Sequence, residues 1–306
     1  MTIWKNKKIM ILTACFCCTL WGSAHSSIKV GYRLFDIDAN DSIAQILFAG
    51  YRFFLAGILV IIVGSFQQKK LLKPVKADVK PILTLALYQT IFQYVTFYIG
   101  LAHATASRAA IINGTAPFIS ILIAVFVFKF ESLTLRKIIG GVLSVAGIVV
   151  LETVGQRVSV GFSWKGEGLV MLTVLAAAIS ANYIKLYGKN HNPVLLSGCQ
   201  FTVGGAVMIL ISLLAGARLQ FTPAGALLLL YLAFVSSAAY TLWGIILKYH
   251  PVSSVTVFNS LTPVMGVFLS AVILKEANAV SIITWISLTL VCLGIIIVST
   301  ERSEEL

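Results

Sequence analysis

Charged side chains are scarce in this sequence, and acidic ones are the scarcest. Only 11% of its 306 residues are Asp, Glu, Lys or Arg, whereas a soluble domain has about 25%. The 11 acidic residues all lie in polar segments or at the ends of apolar ones, and there are five cysteines. This composition excludes an ordinary cytosolic enzyme, a disordered chain and a disulfide-stapled secreted scaffold.

Common catalytic motifs are also missing. The sequence has no HExxH, GxSxG, P-loop or GxGxxG pattern, each of which carries a specific chemistry. A membrane-embedded transferase, the alternative of another class, needs clustered acids to hold its metal ion. We therefore expect no enzyme, no catalytic residue, no metal site and no cofactor.

The sequence is rich instead in apolar runs of membrane length. Hydrophobic residues make up 58% of the chain, and its mean hydropathy is +0.95. A transmembrane helix needs about 20 such residues, and the runs are continuous rather than alternating as in barrel strands. The ten predicted spans are Ile9–Ile28, Ile43–Gly64, Pro81–Leu101, Ala106–Phe128, Ile138–Leu151, Gly166–Tyr183, Val194–Ala217, Ala224–Leu247, Val252–Leu274 and Ala279–Ser299. The fifth is short, so we expect it to extend at an end or to tilt.

The basic residues are distributed unequally about these spans. With the N-terminus in the cytoplasm, 15 of the 23 Lys and Arg residues fall on the inner side and 7 on the outer, and Arg52 remains inside a span. Positive residues collect on the cytoplasmic side of membrane proteins. The pattern predicts a multi-pass protein of the cell (plasma or inner) membrane with both termini cytoplasmic. It also explains the net charge of +12 without a nucleic-acid partner.

The second half of the chain repeats the first. At an offset of 146 residues, Tyr94–Phe128 aligns with Tyr240–Leu274. A unit with an odd number of helices enters the membrane in opposite directions in its two copies, as in transporters with inverted repeats. The sequence thus predicts an all-α integral membrane protein of ten transmembrane helices in two inverted five-helix repeats, residues 1–154 and 162–300.

Each repeat carries an Asn–Pro pair, Asn113 with Pro117 and Asn259 with Pro263. Proline in a helix frees the carbonyl four residues earlier, which here belongs to the asparagine. Two interpretations stay open. The pairs either form fixed kinks bonded to neighbouring helices, or line a polar cavity where the freed carbonyls meet substrate or water.

Ionisable residues inside spans are candidates for function. Arg52 either clamps helix carbonyls or binds a substrate carboxylate. His25 is either a core histidine or a group that titrates near neutral pH during transport. The other predicted cavity residues, each also explicable as a polar contact between helices, are Asn113, Asn259, Gln89, Gln93, Asn182, Gln200 and Tyr240.

Short motifs in order along the chain carry a family resemblance. They are Leu20–Ser23, Tyr51–Phe54, Tyr98–Leu101, Pro117, Phe128–Glu131, Pro251–Ser253, Pro263 and Leu274–Glu276. The chain resembles the EamA-like family of the drug/metabolite transporter superfamily over nearly its whole length. It departs from the family pattern at Phe130, just before Glu131. It also departs in the sixth helix, where Ser180–Asn182 takes the place of the usual Trp. The resemblance implies a carrier with alternating access for amino acids, other metabolites or toxic compounds.

The lack of an Asp or Glu in the middle of any predicted span argues against a cation as the substrate. We therefore expect a carrier that exports a small, amino-acid-like metabolite, neutral, zwitterionic or anionic. A multidrug or lipid-like exporter is the alternative. The expected partners are that small molecule and the lipid bilayer. The oligomeric state stays open, a monomer included.

Overall fold

The structure, a computed structural model, describes residues 3–38, 40–104, 106–153, 162–273 and 282–300. Within these ranges every regular element is helical. Seven of the long helices run without a break: α1 Lys7–Leu34, α2 Ser42–Gln67, α3 Lys76–His103, α5 Leu135–Thr153, α6 Trp164–Gly188, α7 Pro193–Leu214 and α8 Pro223–Tyr249. Helix α4 consists of two pieces, Ala106–Gly114 and Ala116–Phe126. Helix α9 runs from Val252–Thr256 through Val257–Ser260 to Leu261–Ile273. The last helix, α10, is described over Ile282–Ser299.

These helices confirm the predicted all-α membrane fold. Among the described residues, nine segments are long and apolar enough to cross a membrane. The tenth, α5, has 19 residues and carries Arg136, Lys137 and Glu152 near its ends. It extends the short fifth run at both ends, where an extension at one end or a tilt was expected. The chain is therefore a multi-pass membrane protein.

Helix α1 is longer than its apolar run. It starts at Lys7, where the side chain of Asn6 accepts a hydrogen bond from the Lys8 N–H at 2.8 Å and so caps the free end of the helix. It continues past the predicted end at Ile28 to Leu34. The extension carries Lys29 and Arg33, long side chains whose charged ends can reach the membrane surface.

Glycines bring α2 and α7 together in a symmetric crossing. A methyl group added at Gly57 would lie 2.6 Å from the Gly198 carbonyl oxygen, and one at Gly205 would lie 2.8 Å from the Gly50 carbonyl oxygen. The pairs Gly50 with Gly198 and Gly57 with Gly205 are each separated by 148 residues. When each residue is replaced by its equivalent in the other repeat, one contact becomes the other. This is what a two-fold axis between the two helices requires.

Helices α5 and α10 cross with the same symmetry of contacts. A methyl group at Gly140 would lie 2.6 Å from the Gly294 carbonyl oxygen, and one at Gly147 would lie 2.9 Å from the Ser287 carbonyl oxygen. Gly140 and Ser287, like Gly147 and Gly294, are 147 residues apart. Small residues permit such close approach of helices in membranes. The two halves are thus related by an inverted repeat, because equivalent helices pair antiparallel with each other.

The remaining helices surround these two crossings. Helix α1 packs against α8 and α9. Helix α6, the repeat equivalent of α1, packs against α3 and α4, which are the repeat equivalents of α8 and α9. The Nζ of Lys7 donates a hydrogen bond to the Ser299 carbonyl oxygen, so the two ends of the helical part lie on one side. We call that side the terminal face and the other side the opposite face.

In the described part of the chain, α3, α4 and α9 depart from regular α-helix well inside their spans. Helix α4 breaks at Thr115, two residues before Pro117, and α9 narrows to a 3-10 turn at Val257–Ser260, ahead of Pro263. Both prolines therefore interrupt regular helix, as their chemistry requires. Helix α3 contains a π-helical turn, Ala86–Phe92, a widened turn that is frequent at functional sites.

Candidate functional site

Arg52 occupies the middle of α2. It lies ten residues after Ser42, about 15 Å along the helix at 1.5 Å per residue. It is 5% exposed, and its Nε is buried without a hydrogen-bond partner. The guanidinium carbon lies 4.4 Å from the ring centre of Phe53 and 5.6 Å from that of Tyr94. The charge is therefore placed against aromatic faces, which attract cations.

Among the residues that the structure describes, the ionisable neighbours of Arg52 are four phenols. They are Tyr32 from α1, Tyr94 and Tyr98 from α3, and Tyr240 from α8. Within the described ranges no carboxylate pairs with the guanidinium. Arg52 and these four tyrosines are called the Arg52 centre below.

The two repeats meet at this centre. The hydroxyl groups of Tyr94 and Tyr240 hydrogen-bond each other, and these residues are equivalent in the repeats, 146 positions apart. A residue that contacts its own repeat equivalent lies next to the two-fold axis. The Arg52 centre is therefore at the interface of the two halves, where inverted-repeat transporters hold their substrate.

Aromatic rings form the wall around the centre. Phe53 stacks on Phe201 of α7, with ring centres 5.2 Å apart. Trp21 of α1 contacts Tyr240 and Trp243 edge-on, each at 5.0 Å. These rings exclude water from the guanidinium and so strengthen any electrostatic interaction it makes.

A buried guanidinium with this surrounding is suited to bind an anion. A charge without a partner is costly inside a membrane protein, and the phenols around Arg52 supply hydroxyl groups but no negative charge. A carboxylate fits the fork of N–H donors of an arginine in a bidentate way. In the part of the chain that the structure describes, no three His, Cys, Asp or Glu side chains gather to hold a metal ion.

Three of the predicted cavity residues lie near this centre on α3 and α7. The π-turn of α3 carries Gln89, which is 5% exposed, and Gln93 follows it next to Tyr94. Thr90 donates from its hydroxyl to Gln200 Oε1 at 2.6 Å, while Gln200 Nε2 is buried without a partner. Gln200 precedes Phe201, so these amides belong to the region between α3 and α7.

The asparagines are placed differently. Asn113 donates to the Ala109 carbonyl oxygen of its own helix at 2.9 Å. Asn182 is fully buried and donates to the Ser120 carbonyl oxygen of α4 at 3.1 Å, which joins α6 to α4. Asn259 lies half-buried in the 3-10 turn of α9. The His25 side chain and Leu274–Glu276 lie outside the described residues.

Several residues of the centre carry little signal in the sequence. Tyr94 is recognisable there as the repeat equivalent of Tyr240, yet only Tyr240 was predicted to line the cavity. Tyr98 and Phe53 lie in motifs that carry the family resemblance, but like Tyr32 they were not predicted to line the cavity, because an aromatic residue in an apolar helix is usually a packing residue or an interfacial anchor.

A buried ion pair joins the two repeats at the terminal face. Glu131, in the segment after α4, is 3% exposed and lies 3.1 Å from the Lys137 Nζ. Its other oxygen accepts the N–H of Ser253, the second residue of α9, at 3.1 Å, and the Ser253 hydroxyl also donates to the carboxylate. We call Glu131, Lys137 and Ser253 the latch. It fastens the start of α9 in the second repeat to the end of α4 in the first.

Sequence comparison places these features in a known family. The profile of the EamA-like transporter family matches residues 8–153 and 164–300. An uncharacterized transporter of Archaeoglobus fulgidus is 25% identical over 289 residues, 93% of this chain and 96% of that protein. The uncharacterized transporter YetK of Bacillus subtilis is 23% identical over 257 residues, 82% of this chain and 76% of that protein.

A solved structure supports the fold. A crystal structure superposes on 95% of this chain and 96% of its own, with a TM-score of 0.77 and 18% sequence identity. At that identity the likeness concerns the arrangement of the helices.

A protein of Arabidopsis thaliana, named as a WAT1-related chloroplastic protein, is 24% identical over 233 residues, which are 72% of this chain and 54% of that protein.

Proposed function

Because the chain belongs to the EamA-like transporter family, within the drug/metabolite transporter superfamily, we propose that it exports a small amino-acid-like metabolite bearing a carboxylate. The observation that carries this proposal is the Arg52 centre, a buried cation at the interface of the repeats for which the described residues supply no counter-ion. The substrate would be zwitterionic or anionic, and it would leave the cell across the plasma or inner membrane.

Arg52 would hold the carboxylate, and the surrounding tyrosines would complete its hydrogen bonds. Tyr94 and Tyr240 now bond each other, so a substrate oxygen can replace one phenol as the partner of the other. The uncharged amides of Gln93 and Gln200 offer contacts for the rest of an amino-acid-like molecule. A cation would meet repulsion from Arg52 here, with no carboxylate in the described centre to offset it.

Alternating access would follow from the packing of α4 at the two faces. At the terminal face, Val252–Thr256 of α9 packs against Ala116–Phe126 of α4, and the latch holds them together. On the opposite face, Ala106–Gly114 of α4 packs against α5 and α6. In this proposal the terminal face is the closed one, and it would face the cytoplasm because it carries the excess of basic residues. Opening the latch would admit substrate from that side.

A multidrug or lipid-like exporter remains the second candidate. The observation in its favour is the set of rings around the centre, in which Trp21, Trp243 and Phe201 form an apolar wall. Such a surface suits a flat hydrophobic compound. The buried guanidinium favours the carboxylate-bearing metabolite, because an apolar ligand would leave that charge without a partner. The lipid bilayer is the expected surrounding partner in both cases.

Counterflow in proteoliposomes distinguishes these candidates. The purified chain is loaded with one compound of a panel and challenged with the same compound labelled, using neutral, zwitterionic and anionic amino acids beside quaternary ammonium compounds. We expect exchange of carboxylate-bearing compounds and none of the cations. Strong, pH-driven transport of a quaternary ammonium compound that is unaffected by changing His25 would overturn the proposal.

The latch leads to a prediction about access from the terminal face. Glu131→Gln keeps the shape of the side chain but leaves Lys137 buried without a counter-ion, a change that costs about 3–5 kcal/mol in other proteins. The closed state should lose population. Ser254 is 5% exposed in the structure, and Ser254→Cys provides a reporter thiol at that position. A membrane-impermeant maleimide should label this thiol at least about tenfold faster in Glu131→Gln, since about 1.4 kcal/mol suffices for that factor.

The matched control for the latch is Glu152→Gln. Glu152, the last residue but one of α5, is half-buried and forms no ion pair among the described residues. The same chemical change there should leave the labelling rate unaltered. Equal labelling rates in the wild type and Glu131→Gln would show that the latch does not hold the terminal face closed.

A further inference from the structure

A groove opens at the end of α2 on the terminal face, away from the Arg52 centre. It has a volume of about 520 Å³. Its lining residues are Ile61, Ile62, Ser65, Phe66, Lys69, Lys70 and Leu71. Its wall is apolar and outward-facing, with Phe66 80% exposed, and its two lysines stand where the helix leaves the membrane. The groove therefore combines a surface for hydrocarbon with a cationic rim.

The chain folds back tightly to place these lysines. The Lys70 N–H donates to the Ser65 carbonyl oxygen at 3.1 Å, and the Leu72 N–H donates to the Ser65 hydroxyl at 3.0 Å. Lys69 adopts a left-handed backbone conformation with a φ of 49°, which reverses the direction of the chain after α2. Ser65 thus fixes both lysines beside the groove.

The positive charge at this rim is uncompensated. Within the described ranges Lys69 and Lys70 form no ion pair, and the exposed residues Lys73 and Lys76 follow in the same segment. The acid of this segment, Asp78, is already engaged: one oxygen accepts the Val75 N–H at 2.9 Å, and the other lies 2.6 Å from His191 Nδ1. Asp78 is thus not available to neutralise the rim.

We propose that this groove binds an anionic phospholipid of the leaflet at the terminal face. Its acyl chain lies along Ile61, Ile62 and Phe66, and its phosphate contacts Lys69 and Lys70. Lysines directly beside a transmembrane helix attract anionic headgroups, and here an apolar groove ends at two of them. The charge complementarity selects an anionic lipid over a zwitterionic one. This site does not depend on the proposed transport function.

Native mass spectrometry of the purified full chain tests the site. Phosphatidylglycerol and phosphatidylcholine with the same acyl chains are titrated separately, and bound lipid is counted. The wild type should retain one phosphatidylglycerol in preference to phosphatidylcholine. The double variant Lys69→Gln/Lys70→Gln should weaken that binding about tenfold or more, given the attraction of each lysine to anionic lipid. Inorganic phosphate should not compete, because the acyl chain contributes to binding.

The matched control is Lys73→Gln/Lys76→Gln, which removes the same charge from the same segment outside the groove. We expect its phosphatidylglycerol binding to stay close to that of the wild type. Ile62→Trp narrows the groove and retains both lysines, so it should weaken phosphatidylglycerol binding as well. It tests the groove independently if the lysine variant does not fold. Equal weakening in the two lysine pairs, unchanged binding in Ile62→Trp, or equal binding of the two lipids would each overturn the proposal.

Discussion

Replacing Arg52 with glutamine should reduce counterflow of a carboxylate-bearing substrate by at least about tenfold, because a hydrogen bond to a charged group contributes about 1.5–3 kcal/mol. The carboxylate would lose its counter-charge and its bidentate contact together. The variant should still fold, since the guanidinium contacts phenyl and phenol rings and forms no ion pair among the described residues. The measurement is the initial rate of exchange in proteoliposomes at matched protein content.

Two further variants make this result specific. Arg52→Lys keeps the charge but not the planar fork of donors, so its rate should lie between those of the wild type and Arg52→Gln. Arg33→Gln removes an exposed arginine at the end of α1 and should leave the exchange rate unchanged. Normal counterflow by a folded Arg52→Gln protein would show that the substrate does not use this charge.

The second large effect is expected at the crossing of α2 and α7. A methyl group added at Gly57 would lie 2.4 Å from the Thr202 backbone nitrogen and 2.6 Å from the Gly198 carbonyl oxygen. Both neighbours are backbone atoms, so the helices must separate to admit it. Overpacking costs about 1–3 kcal/mol in well-packed cores. Gly57→Ala should therefore lower the midpoint of thermal unfolding in detergent and reduce the yield of monodisperse protein.

Gly244→Ala is the matched control for Gly57→Ala. Gly244 also lies inside a long helix and is buried, but a methyl group there would have its nearest neighbour at 3.7 Å. Because alanine forms helix more readily than glycine by about 1 kcal/mol, this variant should be as stable as the wild type or more so. If both alanine variants unfold at the same midpoint, close approach at Gly57 does not stabilise the pairing of the repeats.

The architecture is predictable from the sequence because its signals are long. Each span is an extended apolar run, and the match of Tyr94 with Tyr240 reveals the repeat at the level of the amino acids. The prolines also predict the irregular regions of α4 and α9, since the loss of an N–H is a local property. The extension of α1 to Leu34 was not predicted because the added residues include Lys29 and Arg33, whose long side chains can reach water from inside a helix.

The candidate site was only partly predictable. Arg52 stands out because a charge inside a span is costly, but its aromatic partners come from other helices and depend on how those helices rotate and tilt. The contact of Asn182 with the Ser120 carbonyl oxygen likewise depends on the packing of α6 against α4. The π-turn that carries Gln89 leaves no signal in the apolar pattern, because it adds only one residue to a turn.

The most direct test of carboxylate recognition compares one substrate with and without its negative charge. The amino acid that exchanges fastest in the counterflow panel is measured beside its carboxamide, in the wild type and in Arg52→Gln. The Arg52 centre predicts that the wild type exchanges the acid and discriminates strongly against the amide, and that Arg52→Gln loses exchange of the acid. Equal exchange of the acid and the amide by the wild type would contradict the proposed recognition of a carboxylate by Arg52.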